Sequence, residues 1–222
     1  MGNYKIVERF ISINGEGRKA GQLAIFLRFA GCNLECDYCD TKWANEKNAP
    51  YEILSEEEIY EYIKDSQIDN VTITGGEPLI QQDILRLLTL LSKDTDLYIE
   101  VETNGSVSIE PYIGLSPKVT FTLDYKLSAS NMEKNMLLEN YKWIRSVDTV
   151  KFVVANKRDL EQTKYIIETY LLERECGIYI SPVFNEIEAA EIVEYMVEHK
   201  LTKVNAQLQL HKYIWNPEKR GV

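Results

Sequence analysis

Histidine, positive charge and long apolar runs are all scarce in this chain. Among its 222 residues there are two histidines, and 25 lysines and arginines stand against 35 aspartates and glutamates, a net charge of -10. A duplex nucleic-acid binder or a protein held on an anionic membrane needs a basic surface, so we expect neither partner. The longest apolar stretch, 23–30, is interrupted by Arg28 and is too short to span a bilayer.

Targeting signals and interdomain linkers are also lacking. Residues 1–10 contain Lys5, Glu8 and Arg9 and no apolar core, which is unlike a secretory signal. No internal repeat and no stretch rich in Pro, Gly or Ser divides the chain. We therefore expect one domain over residues 1–222, located in the cytoplasm.

Strand-like and helix-like segments alternate along the chain. Strands are predicted at 5–13, 23–29, 70–74, 97–103, 119–125, 149–155, 177–181 and 203–211, and helices at 55–65, 79–92, 158–174 and 186–200. This alternation predicts an α/β fold of parallel strands joined by helices. An antiparallel sheet with one wet face is the weaker alternative, because helices separate the strands.

Several predicted strands have one apolar and one polar face. In 97–103, for example, Tyr98, Glu100 and Glu102 alternate with apolar residues, and in 203–211 the polar face carries Gln207, Gln209 and His211. An ordinary closed barrel fills its interior with Val, Ile and Leu. Polar strand faces predict instead a partial, trimmed TIM-like barrel with helices outside and a polar lumen.

Three of the four cysteines lie within eight residues. Cys32, Cys36 and Cys39 have the spacing C-x3-C-x2-C, so each thiolate can bind one iron of a 4Fe-4S cubane and leave the fourth iron open. Cys176 stands apart and is expected to be a small core residue. The cysteine spacing thus favours an iron–sulfur cluster.

Two other chemistries of the cysteine loop are less favoured. A structural zinc site needs four closed ligands, and both histidines, His199 and His211, are far along the chain. A redox pair needs a low thiol pKa, whereas the flanking Glu35, Asp37 and Asp40 would raise it.

The cysteine loop resembles that of the radical S-adenosylmethionine (radical SAM) enzymes. As in that superfamily, a strand is predicted immediately before the loop, and the motif Gly-Gly-Glu-Pro at 75–78 follows the next predicted strand of the barrel. Taken alone, this motif would be a turn with proline at a helix start. Beside the cysteine loop, it resembles the segment that approaches the amino acid end of S-adenosylmethionine.

Most of the chain resembles one branch of that superfamily, the 7-carboxy-7-deazaguanine synthase family of the queuosine pathway. The similar segments are 10–17, 28–34, 39–41, 102–105, 116–118 and 209–212. The resemblance implies conversion of 6-carboxy-5,6,7,8-tetrahydropterin to 7-carboxy-7-deazaguanine with loss of ammonia. It also implies a 4Fe-4S cluster, S-adenosylmethionine that is regenerated, Mg²⁺, a flavodoxin- or ferredoxin-type electron donor and a homodimer.

The same resemblance implies roles for individual residues. The cluster ligands are Cys32, Cys36 and Cys39, and Thr41 meets the magnesium ion. The residues expected around S-adenosylmethionine are Tyr38, Gly76, Glu102, Ser116, Lys118 and Ser181. Those expected around the pterin are Ile13, Asn14, Gly15, Glu16, Arg28, Thr74, Gln209 and His211.

Plain chemistry agrees with two of these roles and leaves alternatives open. Arginine is the usual bidentate partner of a carboxylate, and a carboxylate such as Glu16 accepts from the amino-pyrimidine edge of a pterin. The alternatives are that Arg28 is a surface residue, that Glu16 is a solvated loop residue, and that Glu102 is a structural acid paired with Lys151. A glycyl-radical activase, an iron–sulfur electron carrier and a zinc-stabilised binding module are the alternative functions.

Overall fold

A nine-stranded sheet organises the computed structural model, which describes residues 2–222. The strands are β1 (Tyr4–Ile13), β2 (Leu23–Phe29), β3 (Glu52–Leu54), β4 (Asn70–Gly75), β5 (Tyr98–Thr103), β6 (Val119–Tyr125), β7 (Thr149–Val154), β8 (Gly177–Pro182) and β9 (Val204–Ala206). Their order is β3-β1-β2-β4-β5-β6-β7-β8-β9. β1 is antiparallel to β2 and β3, and all pairs from β2 to β9 are parallel.

The sheet is curled but not closed. Its terminal strands, β3 and β9, are not paired with each other anywhere in residues 2–222. Both are three residues long, which limits the unpaired edge that each presents. The predicted α/β fold, a partial TIM-like barrel, is therefore confirmed.

Helices cover the apolar face of the sheet. They are α1 (Glu56–Ser66), α2 (Ile84–Leu91), α3 (Lys157–Ile166, extended by a π turn over Ile167–Leu171), α4 (Ala189–Glu198) and α5 (Leu210–Ile214). Phe29, Phe121 and Phe152 are fully buried in this core. Burial of aromatic and branched side chains supplies the main favourable free energy of folding.

Local signals set the helix starts. Ser55 Oγ accepts from the Glu58 N–H at 3.2 Å while the Glu58 carboxylate accepts from the Ser55 N–H at 2.8 Å, the capping box that begins α1. α2 begins five residues later than predicted. Pro78–Ile80 forms a separate 3-10 turn, and Asp83 adopts a left-handed φ of 62° directly before the helix.

The prediction of a last strand over 203–211 is wrong beyond Ala206. β9 pairs with β8 only from Ile178↔Val204 to Ile180↔Ala206, and α5 replaces the rest. The chain leaves the sheet because Gln207 bonds the loop between β1 and β2: Gln207 Oε1 accepts from the Gly17 N–H at 2.7 Å. Leu208 consequently faces solvent instead of the core.

Polar side chains line the inner face of the sheet. Thr72, Glu100, Thr122, Lys151 and Ser181, from five consecutive strands, are all buried. Because each lies on the face opposite the helix layer, the curled sheet encloses a polar lumen. No helix within residues 2–222 has both the length and the apolar character required to cross a membrane.

Candidate active site

The three clustered cysteines lie in the loop that follows β2. Cys36 is buried, Cys32 and Cys39 are half-buried, and all three are free thiols. The Cys39 N–H donates to the Cys36 carbonyl at 3.3 Å. Cys32 Sγ accepts from the Leu34 N–H at 3.4 Å and from Asn104 Nδ2 at 3.6 Å. N–H donors aimed at a sulfur stabilise a metal-bound thiolate and tune the metal.

The donor set fits a cluster better than a single ion or a redox pair. Burial raises the pKa of the Cys36 thiol to about 11, although Lys126 opposes the shift, so this is not an activated thiol. We expected a raised pKa, but from acidic neighbours rather than from burial. Across residues 2–222, no three His, Cys, Asp or Glu side chains are gathered tightly enough for one metal ion. Spaced thiols without a fourth ligand suit three separate irons.

The glycine turn after β4 packs directly on the cysteine loop. A Cβ on Gly76 would lie 2.0 Å from the Gly31 carbonyl oxygen and 2.4 Å from Asn45 Oδ1. Gly75 has a φ of +153°, and its Cβ would lie 2.5 Å from the Phe29 oxygen. Only glycine fits at either position. The turn is therefore packed against the backbone of Phe29–Gly31, immediately before Cys32.

Glu77 of the same motif joins two turns. Its carboxylate is fully buried and accepts from the Leu79 N–H at 3.0 Å, Thr103 Oγ1 at 2.8 Å and the Asn104 N–H at 2.7 Å. Burial raises its pKa, and these three donors oppose the shift. Glu77 is thus a structural acid that fixes the glycine turn.

Lys126 and Asp124 are site residues that our sequence analysis missed. Lys126 Nζ donates to Asp124 Oδ2 at 2.9 Å at the end of β6, the same sheet edge as the cysteine loop. Burial alone would lower the pKa of Lys126, but Asp124, Tyr38 and Cys36 outweigh burial, so its pKa is raised. Asp124 Oδ1 and the Tyr38 hydroxyl are buried without a hydrogen-bond partner. A polar ligand group could supply the partner that each of these buried oxygens lacks.

The segment Asn14–Gly17 crosses the polar face of the sheet directly after β1, which ends at Ile13. Asn14 is 2% exposed; its Nδ2 donates to Thr72 Oγ1 at 2.8 Å, and its Oδ1 accepts from Asn70 Nδ2 at 2.7 Å. Three of the predicted residues, Asn14, Gly15 and Glu16, thereby lie in the floor of the lumen, and Ile13 ends β1 directly before them.

Glu16 connects this floor to β7, to β8 and to the residue before α5. Its carboxylate accepts from Lys151 Nζ and Gln209 Nε2, both at 3.1 Å, and from Ser181 Oγ at 2.6 Å. Burial alone would raise the pKa of Glu16. Lys151 and the other donors outweigh burial, so the pKa is lowered. Lys151 also lies 3.7 Å from Asp124 Oδ2. It bonds Glu16 rather than Glu102, so the predicted Glu102–Lys151 pair is not formed.

Gln209 and His211 meet the floor from the other end of the chain. Beyond the Gln209–Glu16 bond, the Leu210 N–H donates to the Gly15 carbonyl at 3.1 Å. His211 packs on Gly15 so closely that a Cβ there would be 2.3 Å from Nδ1. Burial lowers the pKa of His211, so it is neutral at pH 7.

Arg28 lies on the inner face of β2 beside Thr74, its register partner on β4. Its Nε donates to Glu8 Oε2 at 2.9 Å, and the two side chains are 20% and 17% exposed. Arg28 is therefore not a surface residue, and Glu8 was not foreseen as its partner. The guanidinium keeps further N–H donors for an anionic ligand.

Thr41 lies at the rim of the cysteine loop and is buried. Its Oγ1 donates to Asp40 Oδ1 at 2.8 Å, which leaves the oxygen lone pairs of Thr41 available to a cation. The neighbouring Trp43 ring is covered by the Arg220 guanidinium, 4.2 Å from its centroid. The C-terminal residues thus return to the cysteine loop.

Ser116 and Lys118 lie apart from the other predicted site residues. They precede β6, at the sheet edge opposite the cysteine loop, and Lys118 Nζ is 4.1 Å from the centre of the Tyr98 ring. The triplet Ser116-Pro117-Lys118 therefore resembles the family segment in sequence, but it lies before β6. At the cysteine-loop edge of the same strand, the basic residue is Lys126.

A profile of the radical SAM superfamily matches residues 27–123, which contain the cysteine loop and the glycine turn. A 7-carboxy-7-deazaguanine synthase from Clostridium acetobutylicum is 53% identical over 220 residues, covering 99% of this chain and 100% of the relative. The chain belongs to the 7-carboxy-7-deazaguanine synthase family.

Two further proteins are similar over nearly the whole chain. The 7-carboxy-7-deazaguanine synthase from Chlorobaculum tepidum is 34% identical over 220 residues, with 98% of this chain and 96% of the relative covered. The crystal structure of QueE from Escherichia coli superposes with a TM-score of 0.76 at 25% identity, covering 92% of this chain and 94% of that one. The resemblance predicted from the motifs is confirmed.

Membership of the 7-carboxy-7-deazaguanine synthase family also decides between the alternatives left open above. The radical SAM superfamily implies a 4Fe-4S cluster and S-adenosylmethionine, for which the three thiols are present. A zinc module, an electron carrier and a glycyl-radical activase are no longer supported.

Proposed function

We propose that this protein converts 6-carboxy-5,6,7,8-tetrahydropterin to 7-carboxy-7-deazaguanine and ammonia, in 7-deazapurine biosynthesis. One observation carries the proposal: a relative named for this activity is 53% identical over 99% of the chain. The packing of the cysteine loop on Gly76, above a polar lumen floored by Glu16, supports it. The atoms of substrate and products balance without net oxidation, which agrees with regeneration of S-adenosylmethionine.

The cofactors would occupy the sheet edge where β2, β4 and β6 end. Cys32, Cys36 and Cys39 would hold the cluster, and Gly76 with the unpartnered Tyr38 and Asp124 oxygens would face S-adenosylmethionine. When bound, cluster and cofactor supply the one-electron chemistry that starts the ring contraction. We leave Ser116 and Lys118 out of this site, and we include Lys126 and retain Glu102.

The substrate would occupy the lumen above Asn14–Gly17. Glu16 is held ionised by Lys151, so it is ready to accept hydrogen bonds from the amino-pyrimidine edge of the pterin. Ser181 or Gln209 would give up its bond to Glu16 on substrate binding. Arg28, beside Thr74, would bind the substrate carboxylate.

A magnesium ion at Thr41 is part of the proposal. The hydroxyl already donates to Asp40, and Mg²⁺ prefers few protein oxygens together with water and substrate oxygens. Activity should rise with Mg²⁺ in the wild type and in Thr41→Ser, which keeps the hydroxyl, but the rise should be blunted in Thr41→Ala. Full turnover by metal-stripped wild type would exclude this role, and an unchanged cluster spectrum would confirm that each variant is intact.

The remaining parts of the proposal concern the setting of the enzyme. We propose one radical SAM domain over residues 1–222, a homodimer, and a flavodoxin- or ferredoxin-type donor in the cytoplasm. The unpaired thiols agree with a reducing compartment. Sedimentation analysis tests the dimer, and turnover with purified flavodoxin or ferredoxin in place of dithionite tests the donor.

The decisive experiment is turnover under anaerobic, reducing conditions. Reconstituted enzyme, S-adenosylmethionine and 6-carboxy-5,6,7,8-tetrahydropterin should give 7-carboxy-7-deazaguanine and ammonia in equal amounts, with less than one S-adenosylmethionine consumed per product. Cys36→Ala is the matched inactive control. Cleavage of S-adenosylmethionine with the pterin left intact would contradict the proposed substrate.

A further inference from the structure

Two phenylalanines interrupt the polar inner face of the sheet. Phe10 on β1 and Phe26 on β2 are register partners, and their rings are stacked with centroids 5.0 Å apart and planes 4° from parallel. Both are half-buried, and neither belongs to the helix-covered core of residues 2–222. Phe26 shares the inner face of β2 with Arg28, because side chains two residues apart in a strand point to the same side. Two apolar rings are thus left half-open to a polar lumen.

The stack leaves one face of the Phe26 ring on the side of β4. Phe10 covers the face on the side of β1, and the register partner of Phe26 on β4 is Thr72. A threonine side chain is too short to cover a phenyl face, which agrees with the half-burial of Phe26. The second face of Phe26 therefore lies beside the floor of the lumen, where Asn14 Nδ2 donates to Thr72 Oγ1 at 2.8 Å.

Phe26 also lies between the two ends of the proposed substrate site. Arg28, the proposed partner of the substrate carboxylate, is two residues nearer the cysteine loop on the same face of β2. Asn14 bonds the β4 residue that is level with Phe26. Two residues after Asn14 comes Glu16, the proposed partner of the amino-pyrimidine edge. A bicyclic ring held at both of these ends passes the ring of Phe26.

Stacking on an aromatic side chain suits this class of ligand. Pterins and deazaguanines present a flat π system, and offset stacking of aromatic rings is favourable beyond the area that it buries. Arg28 and Glu16 recognise the polar ends of the ligand by charge and hydrogen bonds. An aromatic wall adds recognition of the planar ring system between those ends.

We propose that Phe26, backed by Phe10, is a specificity-determining residue whose ring stacks on the bicyclic ring of the substrate and of the product. The inference rests on the proposed function. Phe10 acts through its neighbour, since its stack holds the Phe26 ring in one plane. The product should gain more from this wall than the substrate, because both rings of 7-carboxy-7-deazaguanine are planar, whereas the reduced ring of a tetrahydropterin is puckered.

The test compares two ligands in the wild type and in Phe26→Leu. Anaerobic calorimetry without reductant, so that no turnover occurs, would titrate the reconstituted enzyme with 6-carboxy-5,6,7,8-tetrahydropterin and with 7-carboxy-7-deazaguanine. Leucine keeps an apolar side chain but removes the ring. Kd should therefore rise roughly threefold for the tetrahydropterin and roughly tenfold for the deazaguanine.

Controls separate stacking from a structural role. Phe26→Tyr keeps the ring and should bind both ligands as the wild type does, as should Tyr165→Leu, which removes an exposed ring on α3. Phe26→Met, which fills the space with a flexible chain, gives the same comparison if Phe26→Leu does not fold. Unchanged Kd values in the variant without the ring, or a rise by the same factor for both ligands, would overturn the inference alone. A wild type that binds neither ligand would overturn the proposed function, and this inference with it.

Discussion

The Glu77 carboxylate accepts a hydrogen bond of 2.7 Å from the Asn104 N–H, and this bond ties the turn after β4 to the turn after β5. The Asn104 side chain in turn reaches Cys32 Sγ at 3.6 Å. A residue of the glycine motif is thereby connected, through one intermediate, to a cysteine that we propose as a cluster ligand. The motif's acid acts on the site by holding its backbone in place.

Replacing Glu77 by Gln should therefore destabilise the protein and disturb the cluster. The amide would lose an acceptor oxygen for buried N–H groups, at a cost of roughly 2–3 kcal/mol in the free energy of unfolding. Urea unfolding would measure it, with the exposed Glu110→Gln as control. Wild-type stability together with a wild-type cluster spectrum would show that the connection has no effect.

The cysteine loop predicts a clear difference between two buried thiols. Cys36→Ala should lose the cluster, as seen in iron content and visible absorbance, because a cubane held by two thiolates is incomplete. Cys176→Ser should keep iron and activity and lose roughly 1–3 kcal/mol of stability, since a hydroxyl enters a core position that is 8% exposed. Iron loading of Cys36→Ala at wild-type level would refute the ligand assignment.

The Arg28–Glu8 pair allows binding and structural roles to be separated. Arg28→Ala should weaken pterin binding by about 2–5 kcal/mol, because the substrate carboxylate loses its partner. Glu8→Gln breaks the same ion pair but leaves the guanidinium in the lumen, so it should bind the pterin at least as well as the wild type. Equal losses of substrate affinity in both variants would indicate that the pair is only structural.

Glu100 should make stability fall as pH rises. Its pKa is about 7 in the fold against an ordinary value of 4.5, so the folded protein binds the extra proton between these values. The stabilisation is complete below about pH 4.5 and lost as pH rises through about 7. From pH 4.5 to pH 8, the free energy of unfolding of Glu100→Gln should therefore rise relative to that of the wild type by up to roughly 3 kcal/mol, as measured by urea unfolding. A pH-independent difference would contradict the shift.

Features with local sequence signals were predictable. The strand predicted at 119–125 is β6 with the same bounds, and the helix predicted at 55–65 begins at Glu56, directly after its Ser55 cap. The cysteine spacing and the two glycines likewise concern residues adjacent in the chain. Pattern and spacing are sufficient there because the structure depends on near neighbours.

Features that depend on register were not predictable. Glu8 meets Arg28 because β1 is antiparallel to β2 with a bulge between Ile6 and Glu8, which no pattern in either strand reveals. Ser116-Pro117-Lys118 matched a family triplet, but its position relative to the strand decides which edge it occupies. Lys126 was missed for the converse reason: its position at the cysteine-loop edge emerges only once β6 is placed in the sheet.

The floor of the lumen also has a consequence for how the protein becomes active. Glu16 and Gln209 are separated by 193 residues, and Gly17 and Gln207 by 190. Contacts of such high sequence separation form late in folding, because a long loop must close before they contribute. During synthesis a nascent chain can already contain the three cysteines proposed to bind the cluster while the proposed pterin pocket has no floor. We therefore expect cluster insertion and pocket assembly to be separable events in the life of this protein.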